Sequence, residues 1–255
     1  MRSTCSRATS GDNVIVIPMA GLSRRFFDAG YDRPKFMLPL GDELAFDCAV
    51  RSFAAYFETR PFLFIARETG GIESFVRQRC DALGITDARI VMLDRETAGQ
   101  AETVEQGITR AGTGPDMAIT IFNIDTFRPG YREPPPERLA AHAGWLEVFQ
   151  GSGANWSYVR PSDTGLRLAA ETAEKRPISN LCCTGLYHFQ RANDFLDALA
   201  TERLRPQARE LFVAPLYNHL IAKGLTVAYE EIRPDEVIFC GTPAEYEGLL
   251  RGAER

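Results

Sequence analysis

Four short apolar runs, Val14 to Ile17, Pro61 to Ala66, Arg89 to Leu93 and Met117 to Phe122, alternate with segments of helical spacing at Leu44 to Phe57, Ile72 to Leu83 and Glu102 to Ala111. A strand that is apolar on both faces has to be covered from both sides, and a helix between successive strands supplies the cover. The first half therefore predicts an α/β fold with a doubly wound, mostly parallel sheet. Past residue 128 the character changes. Arg128 to Glu137 is rich in proline and charge, and Trp145 to Phe149, Trp156 to Arg160, Leu166 to Ala170 and Leu181 to Phe189 read as strands with little helix between them. They predict a small antiparallel lobe over the open end of the sheet. Helices at Ala192 to Ala200 and Glu210 to Lys223, a strand at Leu225 to Tyr229 and a last helix opening at Thr242-Pro243-Ala244-Glu245 complete the pattern. In that last motif the threonine caps, proline takes the first helical position and glutamate closes a capping box.

A chain of 255 residues, 45% hydrophobic, can bury the core of one such domain, expected over residues 13–250. Its net charge of −5 argues against a general nucleic-acid binder, so basic residues are expected to be local to a site. Six cysteines, at 5, 48, 80, 182, 183 and 240, show no C-x-x-C spacing and read as reduced cytosolic thiols. His142, His188 and His219 are too few and too scattered for a zinc site, and read as surface or strand residues. No apolar run approaches the roughly 18 residues of a membrane span. Residues 1 to 12 are polar without the apolar centre of a signal peptide, so a frayed N-terminus and a soluble, cytoplasmic protein are expected. A homo-oligomer is compatible with this composition.

The first strand runs into Ala20-Gly21-Leu22-Ser23-Arg24-Arg25, a small-residue turn followed by basic residues on a polar loop, with Lys35 ten residues on. Small residues let backbone N–H groups approach phosphate oxygens, and Arg and Lys supply the charge a triphosphate demands. Neither a P-loop nor a G-x-G-x-x-G dinucleotide loop is present, since Ser23 and Arg25 stand where glycines would be needed. A solvated surface pair, Arg24 and Arg25, with an incidental Lys35 is the plain alternative. The position directly after a buried strand, at the carboxyl edge of the sheet, favours the site.

These residues resemble the sugar-phosphate nucleotidyltransferases, the nucleoside-diphosphate-sugar pyrophosphorylases and their cytidylyltransferase relatives. Gly21 matches the first glycine of the family's G-x-G-x-R loop, Arg25 its arginine, and Pro34-Lys35 with Leu38-Pro39-Leu40 its lysine segment; Ser23 replaces the second glycine. The resemblance spans most of residues 13 to 250. It implies a Rossmann-like fold of the nucleotide-diphospho-sugar transferase type, with a nucleotide-binding half at about 13–127 and an acceptor-binding half at about 128–250.

Three further segments fit. Asp125, just past the end of an apolar strand and beside Asn123, is a turn former on residue type alone; the family has its metal aspartate here, so Mg²⁺ is the implied cofactor, held by this carboxylate and the substrate's phosphates. Gly99 and Gln100, which read equally as a helix start, match the segment that reads the nucleotide base, and Asn123 is counted with the nucleotide contacts. Glu174-Lys175-Arg176-Pro177, the strand through Thr184-Gly185-Leu186-Tyr187, and Gly165 match the acceptor-binding segments. One departure stands at Phe239, where the family carries a second metal aspartate; Asp235 or Glu236 are the carboxylates near enough in sequence to replace it.

The implied reaction is attack of an acceptor phosphate on the α-phosphorus of a nucleoside triphosphate. Arg25 is assigned to the leaving phosphates, Lys35 to the α-phosphate and the acceptor, and Asp125 to the metal. Trp145, Trp156 and Tyr158 put aromatic bulk on the acceptor side, which leaves a sugar phosphate and a smaller phosphocholine-like group both open, or makes these residues ordinary core. A nucleotide-sugar-dependent glycosyltransferase would also hold a metal at Asn123-Ile124-Asp125 but has no need of the Arg25 and Lys35 loop. A non-catalytic regulatory relative would account for Phe239.

Overall fold

The computed structural model describes residues 13–68 and 70–253; the expected fraying of residues 1 to 12 and the thiol of Cys5 lie outside them. The parallel strands β1 (Asn13–Pro18), β4 (Phe62–Arg67), β5 (Ala88–Leu93) and β6 (Ala118–Phe122) stand in the order β6-β1-β4-β5. Between them run α1 (Arg24–Asp28), the hairpin β2 (Pro39–Leu40) and β3 (Glu43–Leu44), then α2 (Ala45–Val50), α3 (Ile72–Leu83) and α4 (Gln100–Arg110). The second half adds β7 (Thr126–Phe127), α5 (Pro136–Ala140), β8 (Gly144–Gln150), β9 (Ser157–Pro161), β10 (Ala169–Glu174), β11 (Leu181–Phe189), α6 (Ala192–Leu204), α7 (Leu216–Ala222), β12 (Val227–Ile232), β13 (Ile238–Phe239) and α8 (Pro243–Ala253).

Alternation along β1 and β4 sorts side chains onto two faces. Val14, Val16, Leu63 and Ile65 pack with Val104 of α4, Phe195 of α6 and Tyr217 of α7. Ile15, Ile17, Phe62 and Phe64 pack instead with Phe46 of α2 and Val76 of α3. The helix α3 follows its pattern, burying Ile72, Val76 and Cys80 along one stripe. It ends at Gly84, whose φ of 78° is the left-handed turn a glycine adopts without cost, and Ile85 N–H returns to the Cys80 carbonyl at 3.0 Å.

The antiparallel strands are hydrogen-bonded onto this sheet. β11 runs antiparallel to β6, pairing Leu186 with Phe122 and Phe189 with Ile119, and carries β8 and β9. β12 pairs β8 and β10 pairs β9, so nine strands form one sheet. The chain leaves β1 towards β4 and β5, then returns to β6 on the other side of β1. The loops that follow β1 and β6 therefore part at their carboxyl ends, where open α/β sheets take ligands.

Three sequence expectations are corrected. Arg24 and Arg25 open the short helix α1 rather than lying on the polar loop, because Phe26 turns inward to 1% exposure against Tyr31 and Tyr246. The strand expected at Leu166 to Ala170 forms later, at Ala169–Glu174, where Thr172 Oγ1 donates to the Ala214 carbonyl at 2.6 Å and its N–H to Asn218 Oδ1 at 2.8 Å. The helix expected from Glu210 begins only at Leu216. Pro215 disfavours helical backbone at Ala214, and Leu211 spends its backbone groups elsewhere: its N–H donates to the Ala98 carbonyl at 2.9 Å and its carbonyl accepts from Ala101 N–H at 2.8 Å. The last helix does start with its capping box, Thr242 N–H donating to Glu245 Oε2 at 2.9 Å and Glu245 N–H to Thr242 Oγ1 at 3.3 Å.

His188 lies inside β11, 2% exposed, with Nδ1 3.0 Å from Thr120 Oγ1, and burial pushes its pKa down to about 4. In the unfolded chain the imidazole takes up its proton near pH 6.5. Its contribution is thus present above pH 6.5 and is lost as the pH falls from 6.5 towards 4, a loss of about 3 kcal/mol at most. Urea unfolding of the protein and of His188→Asn at pH 7 and pH 4.5 checks this: the variant should lose less stability on acidification, and equal losses would place the acid sensitivity elsewhere.

Candidate active site

Lys35 Nζ lies 2.5 Å from Asp125 Oδ2, joining the loop after β1 to the loop after β6. Both side chains are about a quarter exposed, so the pair faces an opening rather than the core. The lysine is placed by a 3₁₀ turn over Lys35–Met37 whose Phe36 is buried, and the turn is fastened to the first loop, Lys35 N–H donating to Ser23 Oγ at 3.2 Å. Ser23 has φ 50° and ψ 28°, the left-handed region that glycine occupies without cost. The serine thus takes a conformation that favours glycine and adds a hydroxyl that binds the lysine segment.

The aspartate is fixed from its backbone and from the far end of the chain. Its carbonyl accepts from Cys240 N–H at 2.8 Å, and a Cβ on Gly241 would stand 3.0 Å from its Oδ2, so glycine leaves room beside the carboxylate. Burial pushes the neighbouring Cys240 thiol up to about 12, which keeps it protonated beside this carboxylate. Arg25 is exposed on α1, two residues past Ser23, and makes no ion pair among the described residues. Arg24 reaches across to Glu96 at 3.1 Å, linking the first loop to the loop that carries Gly99. Ala20 is buried under the turn, while Gly21 and Leu22 border a cleft of about 240 Å³ that also meets Pro34, Phe36 and Arg67.

The remaining nucleotide-side residues form a second group. Gln100 is the first residue of α4, and its Nε2 donates to Asn123 Oδ1 at 2.6 Å. Asn123 N–H donates to the Gly185 carbonyl at 3.1 Å, and a Cβ on Gly185, whose φ is 97°, would come within 2.5 Å of Asn123 Nδ2. Next to it, Thr126 Oγ1 donates to the Thr184 carbonyl at 3.1 Å. Gly99 has its own reason to lack a side chain, because a Cβ there would lie 2.5 Å from the Leu211 carbonyl oxygen.

On the acceptor side Glu174 closes β10, accepts a hydrogen bond from Ser157 Oγ and has its pKa raised by burial. Lys175 follows with φ 54° and places its ammonium 4.6 Å from the Phe212 ring centre. Gly165 is not brought to this group. It lies exposed in the β9–β10 turn, while Glu174 and Ser157 pair at the other end of the hairpin. Trp145 and Tyr158 are core, 2% and 0% exposed.

Residues missed in the sequence belong to the segment between α6 and α7. Leu211 and Phe212 bring it against both the Gly99 loop and Lys175. Pro206 and Pro215, which bracket it, were the one available signal that the helix could not run through.

The fold has close counterparts among solved structures. The chain is 49% identical to the nucleoside-diphosphate-sugar pyrophosphorylase from Vibrio cholerae RC9, covering 93% of this chain and 99% of that one with a TM-score of 0.88. It belongs to the nucleoside-diphosphate-sugar pyrophosphorylases. Two more distant likenesses support the fold alone. The inositol-1-phosphate CTP transferase from T. maritima is 13% identical over 96% of each chain, with a TM-score of 0.69. The UTP-bound UGPase from Acinetobacter baumannii is 16% identical over 94% of this chain and 92% of its own, with a TM-score of 0.67. No protein-family model and no curated protein matches the chain. No helix among the described residues is long and apolar enough to cross a membrane.

In this chain the two carboxylates that could have stood in for an aspartate at 239 are engaged elsewhere. Asp235 accepts from Arg233 Nε at 3.0 Å on the surface, and Glu236 Oε2 accepts from Arg233 N–H at 2.9 Å. The Phe239 ring packs against Trp156 at 4.5 Å and Phe149 at 5.2 Å between ring centres. Among the described residues no group of three or more His, Cys, Asp or Glu side chains gathers to hold a metal.

Proposed function

We propose that the protein transfers a nucleoside monophosphate from a nucleoside triphosphate to a small phosphorylated acceptor, releasing pyrophosphate, as a step towards surface-polysaccharide precursors. The observation that carries this reading is the Lys35–Asp125 pair at the sheet's switch point. A lysine alone there would serve any anion; a lysine and a carboxylate together serve a phosphate that arrives with a cation.

The residues fit magnesium as a metal with one protein carboxylate. Asp125 has open space beside it at Gly241, and Mg²⁺ commonly takes one or two carboxylates, with phosphate oxygens and waters filling the rest. When bound there, Mg²⁺ would supply positive charge to the phosphates. Lys35 has three ammonium donors; one is spent on Asp125, and the others can bridge the α-phosphate and the acceptor phosphate. Arg25, without an ion pair, is available to the leaving β and γ phosphates. An acceptor oxygen forms the new bond to the α-phosphorus while the α–β bridging bond breaks and its electron pair leaves with pyrophosphate. A phosphate monoester is already ionised near neutral pH, so no general base is required. The protein's contribution is to hold two anions in line and offset their repulsion.

The test is a pyrophosphate-release screen with each nucleoside triphosphate, Mg²⁺ and a panel of sugar phosphates and smaller phosphorylated groups. Turnover with one triphosphate and one acceptor class is expected. Consumption of a nucleotide-sugar with no triphosphate turned over would hand the chain to the glycosyltransferase reading.

A further inference from the structure

Residues 205–215 form an irregular strap between α6 and α7, and the strap is tied down at both ends. At its start the buried carboxylate of Glu202, 1% exposed, accepts from Gln207 N–H at 2.6 Å and from Gln207 Nε2 at 2.7 Å, and stands 2.6 Å from His219 Nε2. At its end Gln207 Nε2 also donates to the Pro215 carbonyl at 3.0 Å, and Thr172 Oγ1 donates to that of Ala214. In the middle, Leu211 exchanges two backbone hydrogen bonds with Ala98 and Ala101, on either side of Gly99. Phe212 is therefore held on a rigid backbone, and its ring lies under the Lys175 ammonium.

Lys175 itself is held in an unusual state. Its φ of 54° is costly for a residue with a long side chain, and it persists because its N–H donates to the Trp156 carbonyl at 2.9 Å. Glu174 Oε1 stands 4.0 Å from the ammonium, while its other oxygen, Oε2, accepts from Ser157 Oγ. A strained backbone and an aromatic face thus direct a half-exposed cation whose ion pair with Glu174 is long, at 4.0 Å.

We propose that Phe212 is a positioning residue that aims the Lys175 ammonium at the acceptor's phosphate, and that the strap carrying it ties the acceptor subsite to the Gly99 loop. The proposal rests on the nucleotidyl-transfer reading and on Lys175 meeting the acceptor. A flat ring face attracts the ammonium without neutralising it, so the charge stays available to a phosphate. A carboxylate in place of the ring would add to the pull of Glu174 and compete for the ammonium.

The experiment measures pyrophosphate release with the fastest triphosphate and acceptor of the screen, varying the acceptor at saturating triphosphate. Phe212→Leu, which keeps apolar bulk and removes the ring face, should raise the acceptor KM on the order of fivefold with kcat within about twofold. Phe212→Tyr should restore the wild-type KM. In a Lys175→Met background, Phe212→Leu should add nothing, because the two residues act through one contact. An unchanged acceptor KM in Phe212→Leu, or the same rise in the Lys175→Met background, overturns the proposal while leaving nucleotidyl transfer intact. A normal acceptor KM in Lys175→Met removes the lysine from the acceptor and the proposal with it, and a wild-type chain that releases no pyrophosphate overturns both readings.

Discussion

Lys35→Met is expected to lower kcat/KM for pyrophosphate release by on the order of a thousandfold, the loss typical of removing a preorganised charge from a developing anionic transition state. Methionine retains much of the apolar stem and removes only the ammonium. The fold should survive, because the segment is anchored by buried Phe36 and by the backbone hydrogen bond from Lys35 N–H to Ser23 Oγ, neither of which the substitution touches. Asp125 then loses its partner at 2.5 Å but is a quarter exposed and keeps water as an alternative. An unchanged urea midpoint with the lowered rate supports the assignment. A rate within a few-fold of wild type would remove Lys35 from the chemistry.

Asp125→Asn is expected to cost a comparable amount, on the order of a hundredfold to a thousandfold in kcat, together with a marked rise in the Mg²⁺ concentration needed for half-maximal rate. The amide matches the carboxylate in size, and its backbone carbonyl still accepts from Cys240 N–H, so the loop after β6 keeps its course. What changes is charge: the neutral amide is a poor ligand for a hard cation. It also frees Lys35, so a purely electrostatic grip on phosphate by the lysine would be strengthened, not weakened. The two variants therefore separate the roles. Wild-type rate and wild-type magnesium requirement in Asp125→Asn would sink the proposed metal site, whatever Lys35→Met shows.

The parallel half of the fold was legible because its signals are local. A strand such as β1, buried on both faces, has to be apolar throughout, and α3 shows its stripe of Ile72, Val76 and Cys80 and its terminating Gly84 within one short stretch. The capping box at Thr242 and Glu245 is equally local. Strand β10 is not legible at its true place because Ala169–Glu174 has Thr172 as its one β-branched residue and no clear apolar alternation; the antiparallel ladder with β9 makes it a strand, and Thr172 ties it to α7 and its approach. The false start of α7 has the same origin in reverse. Nothing in residues 210 to 214 announces that the Leu211 backbone is already committed to a loop more than a hundred residues earlier.

The site divides the same way. Residue types and their order around Arg25, Lys35 and Asp125 were enough to nominate a phosphate site, since charge and backbone freedom are properties of the residues themselves. Whether Lys35 touches Asp125, whether Ser23 can stand in for glycine, and whether Phe239 faces a metal or an aromatic cluster depend on distances between segments far apart in the chain. The sequence by itself determined the alternating strands and helices and the supply of cations and a carboxylate at one sheet edge. Only the tertiary structure decided that Gly165 stands apart, that Gly99 is a glycine for the sake of Leu211, and that Phe212 lies under Lys175. Periodicity records which face of an element is buried, but it carries no information on which distant backbone will arrive to cover it.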